Sequence, residues 1–491
     1  MSTSSRVFKS STFLLAIQLF QRSLGLISTL ILARLLVPAD FGIVAMVAIA
    51  LQFFETLADA GNKHYIIQKS EVTDQDLNTA WTMNLAIKTV MATLIIVVAP
   101  LISEYLGAPE LTMALSIAAL AMPLGALRNP ILMLMARELN YRPVFVLSIW
   151  QKAVSFIVVV VFALIHPSYW AIIAGDLVAA IVMAIGSYFI HAYKPALTLQ
   201  KIGAQWHFSK WLILRGVVGF TRSQIDNLIV SKLFGTGQLG GYHLIRELAT
   251  FPALSVIIPG SEPLQAAIAE RKNHSEQLAY RIRLSLFMMV TLLTPLTIFM
   301  AAYSEQIVNV FLGPQWGDFE ELLRPFALFF FTFCLFALVS DAFVATGQVR
   351  ALFIFDLVST TIIVGFLLSL EDITLSTMAW ARGWLAVLTT LALLLILQSR
   401  THFNLARLGA ISVLVLAPSL FAWLVTEIVR LSFFPATALI SLILSGLLFS
   451  GLVTILLMAI AASSRPHIDE IAHLWDQGTT ILKTLYERIH R

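Results

Sequence analysis

Apolar stretches of about 20 residues recur along almost the whole chain, and this recurrence constrains the fold more than any other feature. Of the 491 residues, 58% are hydrophobic and only 12% are charged. A soluble globule of this length would have to expose much of that apolar surface to water. A helix satisfies its own backbone hydrogen bonds and can therefore cross a bilayer. The sequence predicts an all-α, polytopic integral membrane protein.

The apolar stretches predict about fourteen membrane-spanning helices, with about twelve as the alternative count. The predicted spans are residues 12–36, 41–60, 79–102, 112–135, 145–165, 169–190, 209–234, 240–263, 284–303, 323–346, 351–370, 374–397, 409–430 and 437–461.

The distribution of Lys and Arg predicts the orientation in the membrane. If the N-terminus is cytoplasmic, every inner segment carries cations, whereas the outer loops "EYLGAPE", "HPSYW", "SEQIVNVFLGPQWGDFEE" and "SLEDIT" contain no Lys or Arg. Cytoplasmic loops are the ones that accumulate these residues. Both termini are therefore expected in the cytoplasm. Because the cations are scattered through short loops, the net charge of +4 does not indicate a nucleic-acid partner.

Two short stretches indicate an internal duplication. The segment "ARLLVPADFG" at 33–42 and the segment "SKLFGTGQLG" at 231–240 align without gaps at an offset of 198, which pairs Gly42 with Gly240. The offset corresponds to an even number of predicted spans, so both copies enter the membrane from the same side and form parallel repeats about the membrane normal.

The duplication predicts two six-helix lobes around a central cavity. The predicted parts are an N-terminal lobe at 1–205, a C-terminal lobe at 206–400, an appended transmembrane helix pair at 401–461 and an amphipathic tail at 462–491. The tail has apolar residues at helical spacing, which is typical of a helix on the inner membrane surface. A helix that binds a partner protein is the alternative.

The sequence contains no recognisable catalytic or metal-binding constellation. No two His residues have the i, i+4 spacing of a helical metal site, and there is no Gly-x-Ser-x-Gly elbow or Walker loop. The single Cys334 excludes an internal disulfide framework. We therefore expect a protein that is not an enzyme and has no cofactor, with coupling to H⁺ or Na⁺ as a candidate source of energy.

Polar stripes run along two of the predicted spans. On the first span the residues are Gln18, Arg22, Gly25 and Thr29, and on the seventh they are Arg215, Gly219, Arg222 and Asp226. Both sets follow i, i+4, i+7, i+11 and therefore lie on one helix face. Each charge near the bilayer centre costs roughly 2.5–3.5 kcal/mol, so such stripes are expected to face a cavity.

Further cations lie within other spans, and together they outnumber the carboxylates at that depth. They are Lys88, with Asn84 one turn away, and Arg128, Lys152 and Arg382. A surplus of buried cations indicates an anionic ligand. The alternative is a set of structural ion pairs, in which Asp226 and its neighbours neutralise Arg215 and Arg222.

Two further groups of polar residues have candidate roles. Asp59 and Asp226 are candidates for ion coupling or for pairing with a cation, and Lys63 is the local alternative partner of Asp59. Arg34 and Asp40 flank the turn between the first two spans. They are expected to fix that corner, and an outer gate is their alternative role.

Three motifs at these positions carry a family resemblance. The segments "ARLLVPADFGIVAMV", "ETLADAGNKHYIIQ" and "RNPILMLMARELNYR" resemble the polysaccharide-transporter family of the multidrug/oligosaccharidyl-lipid/polysaccharide exporter superfamily. The O-antigen and colanic-acid exporters are the most similar type, and the resemblance covers roughly residues 10–300.

The resemblance implies a flippase in the bacterial inner membrane. It would move an undecaprenyl-pyrophosphate-linked oligosaccharide from the cytoplasmic to the periplasmic leaflet by alternating access, in contact with membrane lipids and with polysaccharide polymerase or assembly proteins. The implied substrate-binding residues are Arg22, Lys88, Arg128, Arg215, Arg222, Gln18 and Asn84. A cation-coupled drug antiporter with an acidic cavity and a non-transporting scaffold with fully paired charges are the alternatives.

Overall fold

The computed structural model describes residues 3–58, 66, 69, 71–138, 140–270, 274–371, 373–435, 437–464 and 468–472. Within these ranges the regular secondary structure is entirely helical. This confirms the all-α membrane class.

The α-helices are numbered in chain order. They are α1 (Thr3–Leu35), α2 (Pro38–Ala58), α3 (Asp74–Leu106), α4 (Glu110–Ala118), α5 (Ala121–Ala126), α6 (Ile131–Arg137), α7 (Arg142–Ile165), α8 (Trp170–Ile190), α9 (Ile202–Pro252), α10 (Ile258–Glu270), α11 (Ser275–Ala302), α12 (Ser304–Phe311), α13 (Leu323–Ala345), α14 (Val349–Leu368), α15 (Leu375–Thr401), α16 (Leu405–Phe433) and α17 (Ala438–Ser464). A π-helical turn at Ala253–Ile257 follows α9, and a 3₁₀ helix at Pro314–Leu322 precedes α13.

In the described part of the chain, 11 helical stretches are long and apolar enough to cross a membrane. One of them, Gly216–Glu270, is 55 residues long. It contains Gly235, whose φ of 79° and ψ of −177° interrupt the helix. This break lies in the predicted turn between the seventh and eighth spans. The count of fourteen is not established by these helices and stays a prediction.

The fourth predicted span is broken into α4, α5 and α6, and Asn129 stabilises the second break. The N–H of Asn129 donates to Ser187 Oγ at 2.8 Å. Its side-chain amide donates to the carbonyl oxygens of His191 at 3.1 Å and Tyr193 at 2.9 Å. Asn129 is fully buried, so these bonds offset the loss of continuous helix at this depth. The "RNP" motif thus anchors the break to the end of α8.

The chain divides into two compact units. Unit 1 comprises Met1–Glu247 and Asp356–Met378, and unit 2 comprises Leu248–Phe355 and Ala379–Arg491. In unit 1, α1 packs against α7, and α7 packs against α8. In unit 2, α11 packs against both α13 and α16. The predicted lobe boundaries at 205 and 400 are a division of the sequence into repeats and stay predictions.

The first turn of the predicted tail is docked into unit 2. Ile471 belongs to a buried apolar cluster with Ile282 on α11. The adjacent Glu470 is fully buried, accepts a hydrogen bond from Arg283 Nε, and pairs with Arg407 Nη2 at 3.3 Å. The remainder of the tail, 473–491, lies outside the described residues.

The charge state of Glu470 follows from this packing. Burial alone would raise the pKa of the carboxyl, but the hydrogen bond from Arg283 and the charges of Arg283 and Arg407 hold the pKa of Glu470 below its ordinary value of 4.5. A carboxyl with a lowered pKa in the folded state contributes stability above its unfolded pKa and loses that stability as the pH falls through the folded pKa.

We therefore expect docking of the tail to persist down to the ordinary pKa of Glu and to fail only below it. Glu470→Gln should release the tail at neutral pH, because it removes the ionic partner of two arginines. Limited proteolysis of the purified protein at pH 7 and below measures this release. The neighbouring Asp469→Asn, at an exposed carboxylate 3.7 Å from Arg407, is the matched control and should leave the tail protected.

Candidate substrate site among the membrane-spanning charges

The two corner glycines identified by the duplication touch each other's segments. A Cβ atom on Gly42 would overlap the carbonyl oxygen of Thr236, and a Cβ atom on Gly240 would overlap the carbonyl oxygen of Pro38. Pro38 and Thr236 are themselves separated by the repeat offset of 198. The contact is therefore reciprocal, as expected where two equivalent segments meet about a two-fold axis. Only a residue without a side chain permits this backbone approach.

Asp40 fixes the corner at which α2 begins. Its carboxylate accepts hydrogen bonds from the N–H of Val37 at 3.4 Å and from the N–H of Tyr169 at 3.1 Å. The second bond ties this corner to the start of α8. These contacts agree with the expected structural role of Asp40, while the gate role of Arg34 and Asp40 stays a prediction.

Lys88 forms an ion pair with a residue of a neighbouring helix. Lys88 Nζ on α3 lies 2.6 Å from Glu55 Oε2 on α2, with the Lys88 side chain 15% exposed and the Glu55 side chain 42% exposed. Gln52, which precedes Glu55 by three residues on α2, accepts a hydrogen bond from Gln224 on α9 at 2.7 Å. The partner of Lys88 is thus a carboxylate on another helix rather than one on its own helix.

The stripe on α9 is held by two further ion pairs. Asp226 is fully buried and accepts from Arg246 Nη1 at 3.1 Å and from the hydroxyl of Tyr242 at 3.1 Å. Arg222 Nη1 donates to Asp356 Oδ1 on α14 at 2.6 Å. Asp226 is therefore paired with Arg246 of the same helix, while its candidate role in ion coupling stays a prediction.

Three of the expected cations have no such partner. Among the described residues, no hydrogen bond or ion pair within 4.0 Å joins Arg22, Arg128 or Lys152 to another side chain. Arg128 is exposed at the break before α6. Lys152 Nζ lies 3.8 Å from the position of a Cβ on Gly25, one turn beyond Arg22 on α1. Arg22 and Lys152 therefore lie on packed faces of α1 and α7.

Two carboxylates influence Lys152 without forming a direct pair. Asp176 on α8 and Glu247 on α9 both experience the charge of Lys152. Both side chains are accessible at the surface of the folded chain, although they belong to membrane-spanning helices. A carboxylate at such a position is tolerated where water, a cation or a ligand receives it. These groups extend the polar stripe of α1 into a cluster of both charges in unit 1.

The remaining predicted site residues are placed as follows. Gln18 is exposed and Asn84 is half-buried, and neither forms a side-chain hydrogen bond within the described ranges. The side chain of Arg215 and the whole of Asp59 lie outside the described residues. Arg382 is buried in unit 2 with its guanidinium 4.7 Å from the ring centre of Phe329. No hydrogen bond between described residues joins the α1 stripe to the α9 stripe.

Sequence reasoning missed the carboxylates that complete this network. Asp356 in "FIFDLV" and Asp176 in "AGDLV" are isolated acids within apolar spans. That isolation is the signal that would have found them, because a lone carboxylate inside a predicted span needs a partner.

An apolar pocket of about 790 Å³ lies beside the glycine contact, within unit 1. It is lined by α2, α3, α9 and α14, with Phe53, Phe54 and Phe220 among its walls. Lys232, the repeat equivalent of Arg34, lines one end, where its ammonium donates to the carbonyl oxygen of Tyr105 and lies 3.9 Å from the Tyr105 ring centre. This corner cation is therefore held by the end of α3.

A comparison with known families identifies the chain. Residues 31–321 match the model of a family described as "Polysaccharide biosynthesis protein". The chain belongs to this family. This match confirms the resemblance to the polysaccharide exporters of the multidrug/oligosaccharidyl-lipid/polysaccharide exporter superfamily. The family assignment makes this a multi-pass bacterial membrane protein of the polysaccharide-biosynthesis type.

Curated relatives carry matching names. The chain is 28% identical over 301 residues to the succinoglycan biosynthesis transport protein ExoT of Rhizobium meliloti, covering 61% of each protein. It is 24% identical over 308 residues to the lipopolysaccharide biosynthesis protein WzxC of Escherichia coli, covering 61% of this chain and 62% of the relative. The matches thus span less than two thirds of each relative's length.

Solved structures show the same fold. The lipid II flippase MurJ, in an inward closed conformation, superposes with a TM-score of 0.71 at 16% identity, over 91% of this chain and 99% of MurJ. An inward-facing multidrug transporter of the MATE family superposes with a TM-score of 0.62 at 14% identity, over 82% and 99% of the two chains. At such identities the likeness establishes the fold alone.

The reciprocal glycine contact makes a specific prediction. Gly42→Ala should loosen the contact, because an added methyl in a close-packed position costs about 1–3 kcal/mol. Reagent entry into the adjacent apolar pocket should rise by about fivefold or more. In a Cys334→Ala background, the labelling rate of Phe53→Cys by a membrane-impermeant thiol reagent measures this. Gly237→Ala, at a corner glycine with open space around it, is the control and should leave the rate unchanged.

The fully buried ion pair makes a second prediction. Asp226→Ala should destabilise the protein by about 3–5 kcal/mol, because it leaves the Arg246 guanidinium without its buried partner. Asp356→Ala should cost less, since the Asp356 side chain is 30% exposed. Thermal unfolding in detergent compares the two variants. Equal decreases in the unfolding temperature of the two variants would contradict the expectation that the more buried pair contributes more stability.

Proposed function

We propose that this protein is a non-enzymatic flippase that moves an undecaprenyl-pyrophosphate-linked oligosaccharide from the cytoplasmic to the periplasmic leaflet. The observation that carries the proposal is the presence of Arg22 on α1 and Lys152 on α7, two helices that pack against each other. Neither cation has a direct ion pair with a residue that the structure describes. The family assignment and the names of the relatives support the same class of substrate.

Electrostatics favours a pyrophosphate as the group that these cations receive. An Arg or Lys in this environment carries an insertion cost of roughly 2.5–3.5 kcal/mol, and an anionic ligand lowers that cost. A charge-assisted hydrogen bond to a phosphate contributes about 1.5–3 kcal/mol. Gln18, one turn before Arg22 on the same face, supplies an amide for the adjoining sugar. The lipid chain remains in the membrane during the crossing.

We further propose that the reciprocal contact of Gly42 and Gly240 closes the periplasmic end in this conformation. The positive-inside pattern assigns both corners to that side. Opening of this contact, with closure at the cytoplasmic end, would give alternating access to the cluster around Arg22. Because the contact is made by backbone atoms without ion pairs, its separation requires no desolvated charges to part.

Asp176 and Glu247 are candidates for coupling the cycle to H⁺ or Na⁺. Both are carboxylates within electrostatic reach of Lys152, so a proton or cation bound there would change the positive charge available to the substrate. A cation-coupled drug antiporter would use the same carboxylates but would bind a cationic substrate. Arg22 favours an anion instead, because it has no ion pair with the residues that the structure describes.

The first test is removal of the Arg22 charge. In a host deleted for the gene, Arg22→Gln should lower export of the repeat unit by about tenfold or more at matched membrane levels. Surface polysaccharide should fall while the lipid-linked repeat unit accumulates on the cytoplasmic side. Arg350→Gln, at an exposed arginine at the start of α14, is the control. Normal export by Arg22→Gln would overturn the proposed role.

A second pair of variants separates a substrate-binding role of Arg222 from a structural one. Arg222→Gln should impair export, and adding Asp356→Asn should not restore it if Arg222 is needed for the substrate. If the pair is purely structural, removing both charges relieves the unpaired carboxylate and restores export. Restoration would therefore assign Arg222 a structural role.

A further inference from the structure

A polar pocket of about 320 Å³ lies in unit 2, where α12 meets the last two helices, α16 and α17. It is separate from the charge cluster of unit 1. The pocket is lined by Glu305, Gln306, Asn309, Arg430, Leu431, Phe434, Pro435, Ala438 and Ser441. The lining residues of α12 are all polar, whereas those from α16, α17 and the segment between them are mainly apolar apart from Arg430 and Ser441.

The short helix α12 presents its polar face to this pocket. Ile307 and Val308 are buried, so they attach the helix to unit 2. Glu305 and Asn309 are four residues apart and therefore lie on the same side of the helix. Gln306 lies next to them and also lines the pocket. The packing of the apolar face fixes the direction of the polar one.

Arg430 is oriented before any ligand arrives. Its Nε donates to Glu427 Oε2 at 2.9 Å and its Nη2 donates to Glu427 Oε1 at 2.5 Å. This two-point contact holds the guanidinium in one plane. The contact involves Nε and Nη2, so the Nη1 donor of the guanidinium is not part of it.

The polar side chains that α12 contributes to the pocket are available to bind a ligand. Within the described residues, no hydrogen bond or ion pair engages the side chains of Glu305, Gln306 or Asn309. Together they offer carboxylate and amide acceptors and two amide donor groups. A convergent set of donors and acceptors beside apolar walls is the usual construction of a small-molecule site, and the volume is within the usual range of about 300–1,000 Å³.

The charge of the pocket excludes several ligand classes. Glu427 neutralises Arg430, and Glu305 also lies within electrostatic reach of Arg430. The balance of these three groups is negative, which disfavours a phosphate or a uronate. No group of three or more His, Cys, Asp or Glu suited to a metal occurs among the residues that the structure describes. A neutral ligand rich in hydroxyl groups fits what remains.

We propose that this pocket binds a neutral sugar residue of the oligosaccharide that the protein moves. The sugar class rests on the proposed function. Sugar hydroxyls can donate to Glu305 and accept from Gln306, Asn309 and Arg430, while the apolar wall containing Phe434 covers the less polar face of the ring. The loop 304–322 contains no Lys or Arg, so the pocket lies on the predicted periplasmic side.

This assignment gives the appended helix pair a role. α16 supplies Arg430 and Glu427, and α17 supplies Ala438 and Ser441. A chain without these two helices would have the polar face of α12 but no opposite wall. The pair therefore completes a receiving site for the sugar end of the substrate after it has crossed.

Saturation-transfer NMR on the full-length protein in lipid nanodiscs tests the proposal with free sugars as probes. The panel is glucose, galactose, glucuronate and glucosamine at millimolar concentrations. Wild-type protein should transfer saturation to at least one neutral hexose and less to glucuronate. Gln306→Ala/Asn309→Ala should reduce the hexose signal by about fivefold or more, since two hydrogen bonds are lost. Glu305→Gln should also weaken it.

The control is Glu321→Gln, an exposed carboxylate of the same outer loop that does not line the pocket. It should retain the wild-type signal. No hexose signal in the wild type, or equal signals in wild type and double variant, would overturn the proposal. A signal from glucosamine alone would also overturn the proposal and would indicate an amine-containing ligand in place of a neutral sugar. Failure of the flippase proposal is seen separately, in the export measured for Arg22→Gln, which leaves this pocket unchanged.

Discussion

A charged side chain inside an apolar helix must be received by an opposite charge, a dipole, water or a ligand, and this requirement organises unit 1. Lys88 is received by Glu55, Arg246 by Asp226 and Arg222 by Asp356. The first and third pairs join different helices, so the contacts that offset the cost of insertion also fix which helices are neighbours. The second pair joins the two parts of α9 on either side of Gly235. Arg22 and Lys152 depart from this pattern, and the proposed substrate site is built on that departure.

Sequence reasoning located the membrane-spanning helices and the polar stripes because both depend on spacing within one helix. It could not identify the ion-pair partners, since Glu55 precedes Lys88 by 33 residues and Asp356 follows Arg222 by 134. The repeat offset singled out Gly42 and Gly240 as equivalent. That the two glycines also touch is a property of the folded helices and not of either segment.

A hydropathy scan does not detect two of the features, because it averages over a window of residues. The fourth span has the composition of one helix, but Asn129 bonds to the end of α8 and stabilises a break that composition does not register. The tail has the apolar periodicity of a surface helix, and periodicity does not specify which apolar surface is met. The first turn of the tail packs against unit 2, because Arg283 and Arg407 of that unit form ion pairs with Glu470.

The docking of Ile471 and Glu470 also bears on how the protein is made. A ribosome synthesises the chain from its N-terminus, so the apolar cluster around Ile282 is completed by a segment that emerges after the membrane-spanning helices that the structure describes. Until then, Arg283 and Arg407 lack the carboxylate that joins them. Unit 2 therefore completes its packing late in synthesis, when the order of helix insertion is already decided.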